Sequence, residues 1–196
     1  MAENHYPTMK ISDICALPVA ELAAPDSALF LWATFPMLPE ALRVIEAWGF
    51  KFKTVAFVWL KQNRKALTWF YGMGFWTRGN AEICLLATRG HPKRRDNSVH
   101  QFIISPLEGH SKKPDETRNK IVRLMGDLPR VELFARQTPP CWDVWGNEVQ
   151  STIKSFGTIL TDDEKETSNT DKERSTDPCK MKSTIKQSIS PPASVR

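Results

Sequence analysis

Four stretches of this 196-residue chain hold side chains whose types and spacing could do chemistry. The first is RVELFARQTPPCWDVWGNE, residues 130–148. Arg136 follows a short apolar run, where the ligand crevice of an α/β sheet would lie. Glu132 sits inside that run. It is either one residue of a half-exposed strand or a buried carboxylate that must be paired. Asn147 and Glu148 follow a glycine and both can accept hydrogen bonds, as the vicinal hydroxyls of a ribose require, or they form a simple turn. The second is HSKKPDETRNK, residues 110–120, where Lys112 and Lys113 precede a helix start. Free N–H groups and the helix dipole attract a carboxylate or phosphate there, unless the loop is merely a solvated basic one. The third, TWFYGMGFWTRGNAE at 68–82, crowds five aromatics and three glycines into one segment. With Arg78 and Asn80 it suits stacking a nucleobase and reading its edge, or it is a hydrophobic lid on the core. The fourth, RGHPKRRDNSVH at 89–100, gathers Arg89, His91, Lys93, Arg94 and Arg95. It could contact several phosphates or simply be hydrated surface.

Other chemistries are disfavoured. The four cysteines lie far apart with no CxxC pair, and the four histidines show no metal-ligand spacing. No Ser-His-Asp or Cys-His arrangement is visible, and Gly72-Met73-Gly74 lacks the third glycine of a dinucleotide fingerprint. We expect no metal, and reduced, buried thiols in a cytoplasmic protein.

These stretches need elements to position them. Short, nearly continuous apolar runs at Ala28–Ala33, Thr54–Leu60, Ile83–Thr88, Phe102–Ser105 and Val131–Ala135 read as doubly buried strands. Helical stretches lie between them. Pro36–Trp48 has Leu38, Leu42, Ile45 and Trp48 on one face and Gly49 to end it. Pro114–Met125 opens with Pro, Asp and Glu and closes at Gly126. Ile11–Leu22 is interrupted by Pro18, with Ser12 the expected N-cap. Strands alternating with helices argue an α/β fold.

Composition bounds the rest. Hydrophobic content of 41% and charge of 25% are ordinary for a globular chain of about one domain. No apolar run is long enough to cross a membrane, and the N-terminus has no secretory apolar region. The net charge of +5 suits a polyanionic partner. All seven tryptophans precede residue 150. We therefore expect one folded domain over residues 1–149 and a disordered polar tail over 150–196, too poor in apolar side chains to order itself.

Taken in order, ENHYPTM, LFLWAT, LPEALRVIEAWGF, KTVAFVWLK, GMGFWTRGNAEICLLATRG, HSKKPDE, VELFAR and WDVWGNE resemble the MT-A70 family of adenine-N6 methyltransferases in its compact bacterial and phage form. The resemblance covers roughly residues 3–149. It implies a Rossmann-like sheet, S-adenosylmethionine as cofactor, and methyl transfer to the N6 amine of adenine in nucleic acid, with double-stranded DNA the expected polymer. It assigns Lys113, Glu132, Arg136, Asn147 and Glu148 to the cofactor; relatives often carry glutamine at the position of Glu148. Trp76, Asn80 and Glu82 fall on the loop bordering the target adenine. His5, Tyr6 and Pro7 fall on the segment leading out of the catalytic loop. Arg89, Lys93, Arg94 and Arg95 remain the expected contacts to the nucleic-acid backbone.

One element of the resemblance is missing. The family's catalytic signature, Asp-Pro-Pro followed by an aromatic, belongs just upstream of HYPTM, and no such run occurs in these residues. No catalytic residue is therefore assigned. The expectation is an N-terminally truncated sheet lacking one central strand, whose neighbours would be Leu29–Ala33 and Val131–Ala135. The alternative function is a catalytically inactive homologue that binds nucleic acid or a partner subunit.

Overall fold

The computed structural model describes residues 9–66, 68–74, 76–108 and 112–153. His5, Tyr6, Pro7, His110 and the tail beyond residue 153 lie outside the described residues. The chain falls into two compact units, Met1–Leu128 and Pro129–Arg196.

The first unit is mixed α/β. In chain order it holds α1 (Ile11–Ala16), α2 (Val19–Leu22), β1 (Ser27–Ala33), α3 (Leu38–Ala47), β2 (Lys51–Gln62), β3 (Ala81–Arg89), β4 (Phe102–Pro106) and α4 (Glu116–Met125). All four apolar runs expected in this unit are strands. Their order in the sheet is β1-β3-β2-β4. β1 and β2 both run antiparallel to β3, while β4 runs parallel to β2. The sheet is therefore mixed, and α3 is the crossover that carries the chain from β1 to β2 across the intervening β3. Only β3 is buried along its middle, at Ile83, Cys84, Leu85 and Ala87. β1 is half-buried from Ser27 to Trp32 and among the described residues pairs only with β3.

The helices follow the sequence reading with one correction. Pro18 splits the first segment into α1 and α2, because its ring and missing N–H cannot continue a helix. Ser12 is not the N-cap. That place belongs to Lys10, with no side-chain bond, and the Ser12 hydroxyl turns to Asp13 instead. α3 ends at Trp48 and Gly49, whose φ of +79° is the left-handed region that favours glycine. Trp48 is buried, and its indole N–H donates to the Ile14 carbonyl at 2.9 Å, tying α3 to α1.

One face of the sheet carries the cluster that matters below. Phe57, Trp59, Cys84 and Ile103 are fully buried, with Phe30, Trp32 and Ile121 of α4 packed against them. Trp32 meets Trp59 edge to face at 6.4 Å.

The second unit contains a parallel pair, β5 (Val131–Leu133) and β6 (Asp143–Trp145). The expected strand Val131–Ala135 is shortened, because Phe134 leaves the extended region with φ +58°. Phe134 instead packs its ring edge-on against Trp145 at 5.4 Å. Residues 151–152, expected to belong to the tail, are bonded to β6: the Val144 N–H donates to the Thr152 hydroxyl and the Thr152 N–H to the Val144 carbonyl. The thiols also differ from expectation. Cys84 is buried and Cys15 half-buried, but Cys141 is exposed. Burial pushes the Cys84 thiol up to about 12, against a smaller opposing pull from Lys113.

Candidate functional site

The described residues bring together two of the expected site residues in the first unit and two in the second. In the first, Glu82 lies at the start of β3, directly opposite Trp59 of β2. Its carboxylate is nearly enclosed, with the side chain 12% exposed, and one ammonium serves each oxygen. Lys61 donates to Oε1 at 2.6 Å and Lys113 to Oε2 at 2.6 Å. Each lysine also lies over a ring: Lys61 over Trp59 at 5.1 Å and Lys113 over Trp32 at 6.0 Å. Burial pushes the Glu82 carboxyl up, but Lys113 and then Lys61 outweigh it, and the group ends below the ordinary carboxylate range. Glu82 is thus ionised at neutral pH despite its enclosure.

Sequence reading singled out Glu82 and Lys113 but did not pair them, and it missed Lys61. A signal existed. Two antiparallel runs flank the aromatic segment, and Lys61 lies on the same face of β2 as Trp59, diagonal to Glu82. Lys112, grouped with Lys113 at the helix start, has a different role: it pairs with Glu108 and, at 3.1 Å, with Asp115.

The aromatic segment between β2 and β3 folds back on itself. Gln62 bridges Trp69 and Gly72 bridges Gly79. A Cβ on Gly72 would stand 2.8 Å from the Gly79 carbonyl oxygen, so the two arms close only with glycine there. Around the bridge the side chains are not packed as a lid: Trp76 is fully exposed, Met73 almost so and Tyr71 largely so. Asn80 is half-buried, and its carbonyl accepts from the Lys61 N–H at 3.0 Å.

The basic loop after β3 is fastened at both ends. Arg89 turns its guanidinium inward to the Ala20 carbonyl at 2.7 Å and the Ala23 carbonyl at 3.4 Å. The His91 N–H donates to Asp26 at 2.7 Å. At the other end the Arg95 N–H donates to the Leu124 carbonyl, at the end of α4, and Asp96 is held by Ser98 and Arg123. Between these fastenings Lys93 and Arg94 are exposed, as is the Arg95 side chain.

In the second unit Arg136 pairs with Glu148 at 2.7 Å, and Asn147 is exposed beside it. Glu132 is half-buried in β5, opposite Val144 of β6. The close approach that Gly146 permits is to the chain itself. A Cβ there would lie 2.3 Å from the Ala135 carbonyl oxygen and 2.7 Å from its nitrogen. Gly146 thereby fixes the turn bearing Asn147 and Glu148 against the segment leading to Arg136.

The family profile of MT-A70 matches residues 2–148. The chain belongs to the MT-A70 family. It is 34% identical over 150 residues to a type II methyltransferase, M.MunI, of a Mycoplasma species, with 76% of this chain and 61% of that protein covered. It is 30% identical over 135 residues to an N(6)-adenosine-methyltransferase MT-A70-like protein of Arabidopsis thaliana, covering 68% of this chain and 19% of that one. The chain thus spans about three-fifths of the first relative and a fifth of the second. Among the described residues no helix is long and apolar enough to cross a membrane, and no cluster of three or more histidine, cysteine or acidic side chains could hold a metal.

Proposed function

We propose that the chain functions as an S-adenosylmethionine-dependent methyltransferase acting on the N6 amine of adenine in double-stranded DNA, with a Rossmann-like methyltransferase region over residues 1–149 and a cytoplasmic location. The observation that carries this reading is Glu82. An ionised carboxylate, mostly enclosed and held between two ammoniums, stands at the foot of a glycine-closed hairpin that exposes Trp76 and Tyr71. Exposed rings suit an unstacked base, and a fixed acceptor suits an exocyclic amine.

Taken residue by residue, the donors are of the kinds the cofactor would need. Asn147 and Glu148 offer side-chain acceptors for ribose hydroxyls, and Lys113 a cation for a carboxylate. Arg136 pairs with Glu148 of that turn, and Glu132 lies in β5 beside the strand that leads into it. When bound, the cofactor supplies a methyl group on a sulfonium centre. The chain's own residues contribute position and charge, the main source of rate in such a site. Trp76, Asn80 and Glu82 hold the base, with His5, Tyr6 and Pro7 as neighbours of the reacting loop. Lys93, Arg94 and Arg95 hold the polymer backbone. Arg89, assigned to that backbone from sequence, acts through its inward bonds to shape the loop.

Residues 1–196 contain no Asp-Pro-Pro-aromatic run, so no residue is assigned here as catalytic. The same absence favours a second reading, in which this polypeptide binds nucleic acid or a partner subunit without chemistry. Calorimetric titration with S-adenosylmethionine tests the cofactor site. We expect Asn147→Ala to weaken binding about tenfold, the scale of one or two lost hydrogen bonds. Equal affinity would remove Asn147 from the site. Labelled methyl transfer to duplexes with and without adenine separates the enzyme from the binding protein.

A further inference from the structure

Glu82 has more positive partners than it needs. One carboxylate is shared by two ammoniums, so the group carries a net charge of +1 in a largely enclosed place. The two lysines are not equivalent. Lys61 is on β2, its N–H bonded to the Asn80 carbonyl and its own carbonyl bonded by the Phe70 N–H at 2.9 Å. Its side chain is 15% exposed, with Trp59 on one side and Glu82 on the other. Lys113 comes from the loop before α4, and its side chain is 32% exposed. Lys61 is fixed and enclosed, whereas Lys113 can face a ligand.

We infer that Lys61 is a positioning residue that keeps Lys113 available for an anionic group by occupying one oxygen of Glu82. Each carboxylate oxygen has its own ammonium. Remove Lys61, and Glu82 turns both oxygens to Lys113. The pair is then neutral, and an incoming carboxylate meets a spent cation beside a negative charge. The surplus charge, rather than Lys113 alone, makes the place attractive to an anion. This inference rests on the reading of Lys113 as a cofactor residue, and the anion in question is the carboxylate end of the cofactor.

The test uses the full chain and two probes. S-adenosylhomocysteine carries the carboxylate; 5′-methylthioadenosine has the same nucleoside and thioether without it. We expect Lys61→Met to weaken S-adenosylhomocysteine about tenfold, the scale of one bond to a charged group, and to leave 5′-methylthioadenosine unchanged. Lys113→Met should do the same, and the double variant should be no worse than either single one. Lys61→Arg, which keeps the charge, should restore affinity to within about twofold and guards against a folding artefact. Loss of both probes in Lys61→Met, with Lys61→Arg also impaired, would make Lys61 a packing residue and overturn the inference. So would an unchanged affinity in Lys61→Met while Lys113→Met is weakened. If Lys113→Met is also unchanged, or the parent chain binds neither probe, the cofactor reading itself fails and this inference with it.

Discussion

Glu82 and Asp96 are each held by two partners, and the two carboxylates do different work. Glu82 sits on the enclosed face of the sheet between Lys61 and Lys113. Asp96 sits at the surface between α4 and the basic loop, accepting from the Ser98 N–H and hydroxyl at 2.7 Å and from Arg123 at 2.5 Å. Both are pushed below the ordinary range, by opposite balances. For Glu82 the largest influence is burial, which opposes ionisation and is overcome by two charges. For Asp96 the largest influence is hydrogen bonding to Ser98, with Arg123 after it, and the group falls to about 2. A low carboxyl pKa therefore does not say how much a pair matters. Enclosure does, because the same charges act through a lower dielectric and beyond the reach of salt.

The largest expected effect comes from breaking the enclosed pair. Glu82→Gln keeps the shape and removes the charge, leaving two ammoniums 2.6 Å from an amide that cannot compensate them. Removing one partner of a buried pair costs about 3–5 kcal/mol. Lys113 can relax partly toward solvent, so about 2–4 kcal/mol is expected. That is a large part of a domain's 5–15 kcal/mol, and chemical denaturation would read it as a lower midpoint. One molar salt should change the loss little. An unperturbed midpoint would mean that the lysines are solvated and the enclosure argument is wrong.

Next in size is the basic loop, where the charges face water. Replacing Lys93, Arg94 and Arg95 by glutamine should leave the fold intact and lower nucleic-acid affinity most at low salt. Each phosphate contact contributes about 0.9 to the slope of log affinity against log salt, so the slope should fall by up to about 2.7. Arg89→Gln should behave differently. It removes the inward bonds to Ala20 and Ala23, so it should cost thermal stability and leave the slope nearly unchanged. The opposite pattern, with Arg89 carrying the slope, would place that guanidinium on the polymer. Quantitative binding at four salt concentrations decides between them.

The contrast also marks what the sequence could and could not reveal. The four strands of the first unit were legible because each is a continuous apolar run ended by Gly, Pro or charge. Their order was not, since the pairing of β1 with β3 is a long-range choice that no local pattern records. In the second unit β6 went unread: it is three residues long and begins with Asp143, so neither alternation nor length betrays it. β5 looked longer than it is because nothing in its residues announces the left-handed turn at Phe134. Glu82 came into view through the family resemblance and Lys113 already through its place before a helix, but the bridge came from the fold. Lys61 was overlooked because a lysine ending a strand is usually just a polar terminus. Arg89 looked like its basic neighbours, and only the carbonyls exposed at the end of α2 explain why it points inward.

The smallest expected effect sharpens the comparison from the other side. Asp96→Asn removes a surface charge that holds Ser98 and Arg123, and at neutral pH it should shift the melting midpoint far less than Glu82→Gln. Its signature is in pH and salt. The folded Asp96 titrates at about 2, below its ordinary 3.8. Its contribution is therefore fully present above the ordinary value and is lost as pH falls through about 2. Asp96→Asn should remove that contribution at all pH values, so the parent and the variant converge toward pH 2 and diverge above pH 4. High salt should narrow the difference, because Arg123 is 59% exposed and its attraction is screened. Hydrogen exchange at the Arg95 and Asp96 amides, both bonded to the Leu124 carbonyl, reports on the loop directly and should quicken in the variant. If exchange is unaltered, the loop is held by its backbone bonds alone, and Asp96 is an ordinary surface carboxylate.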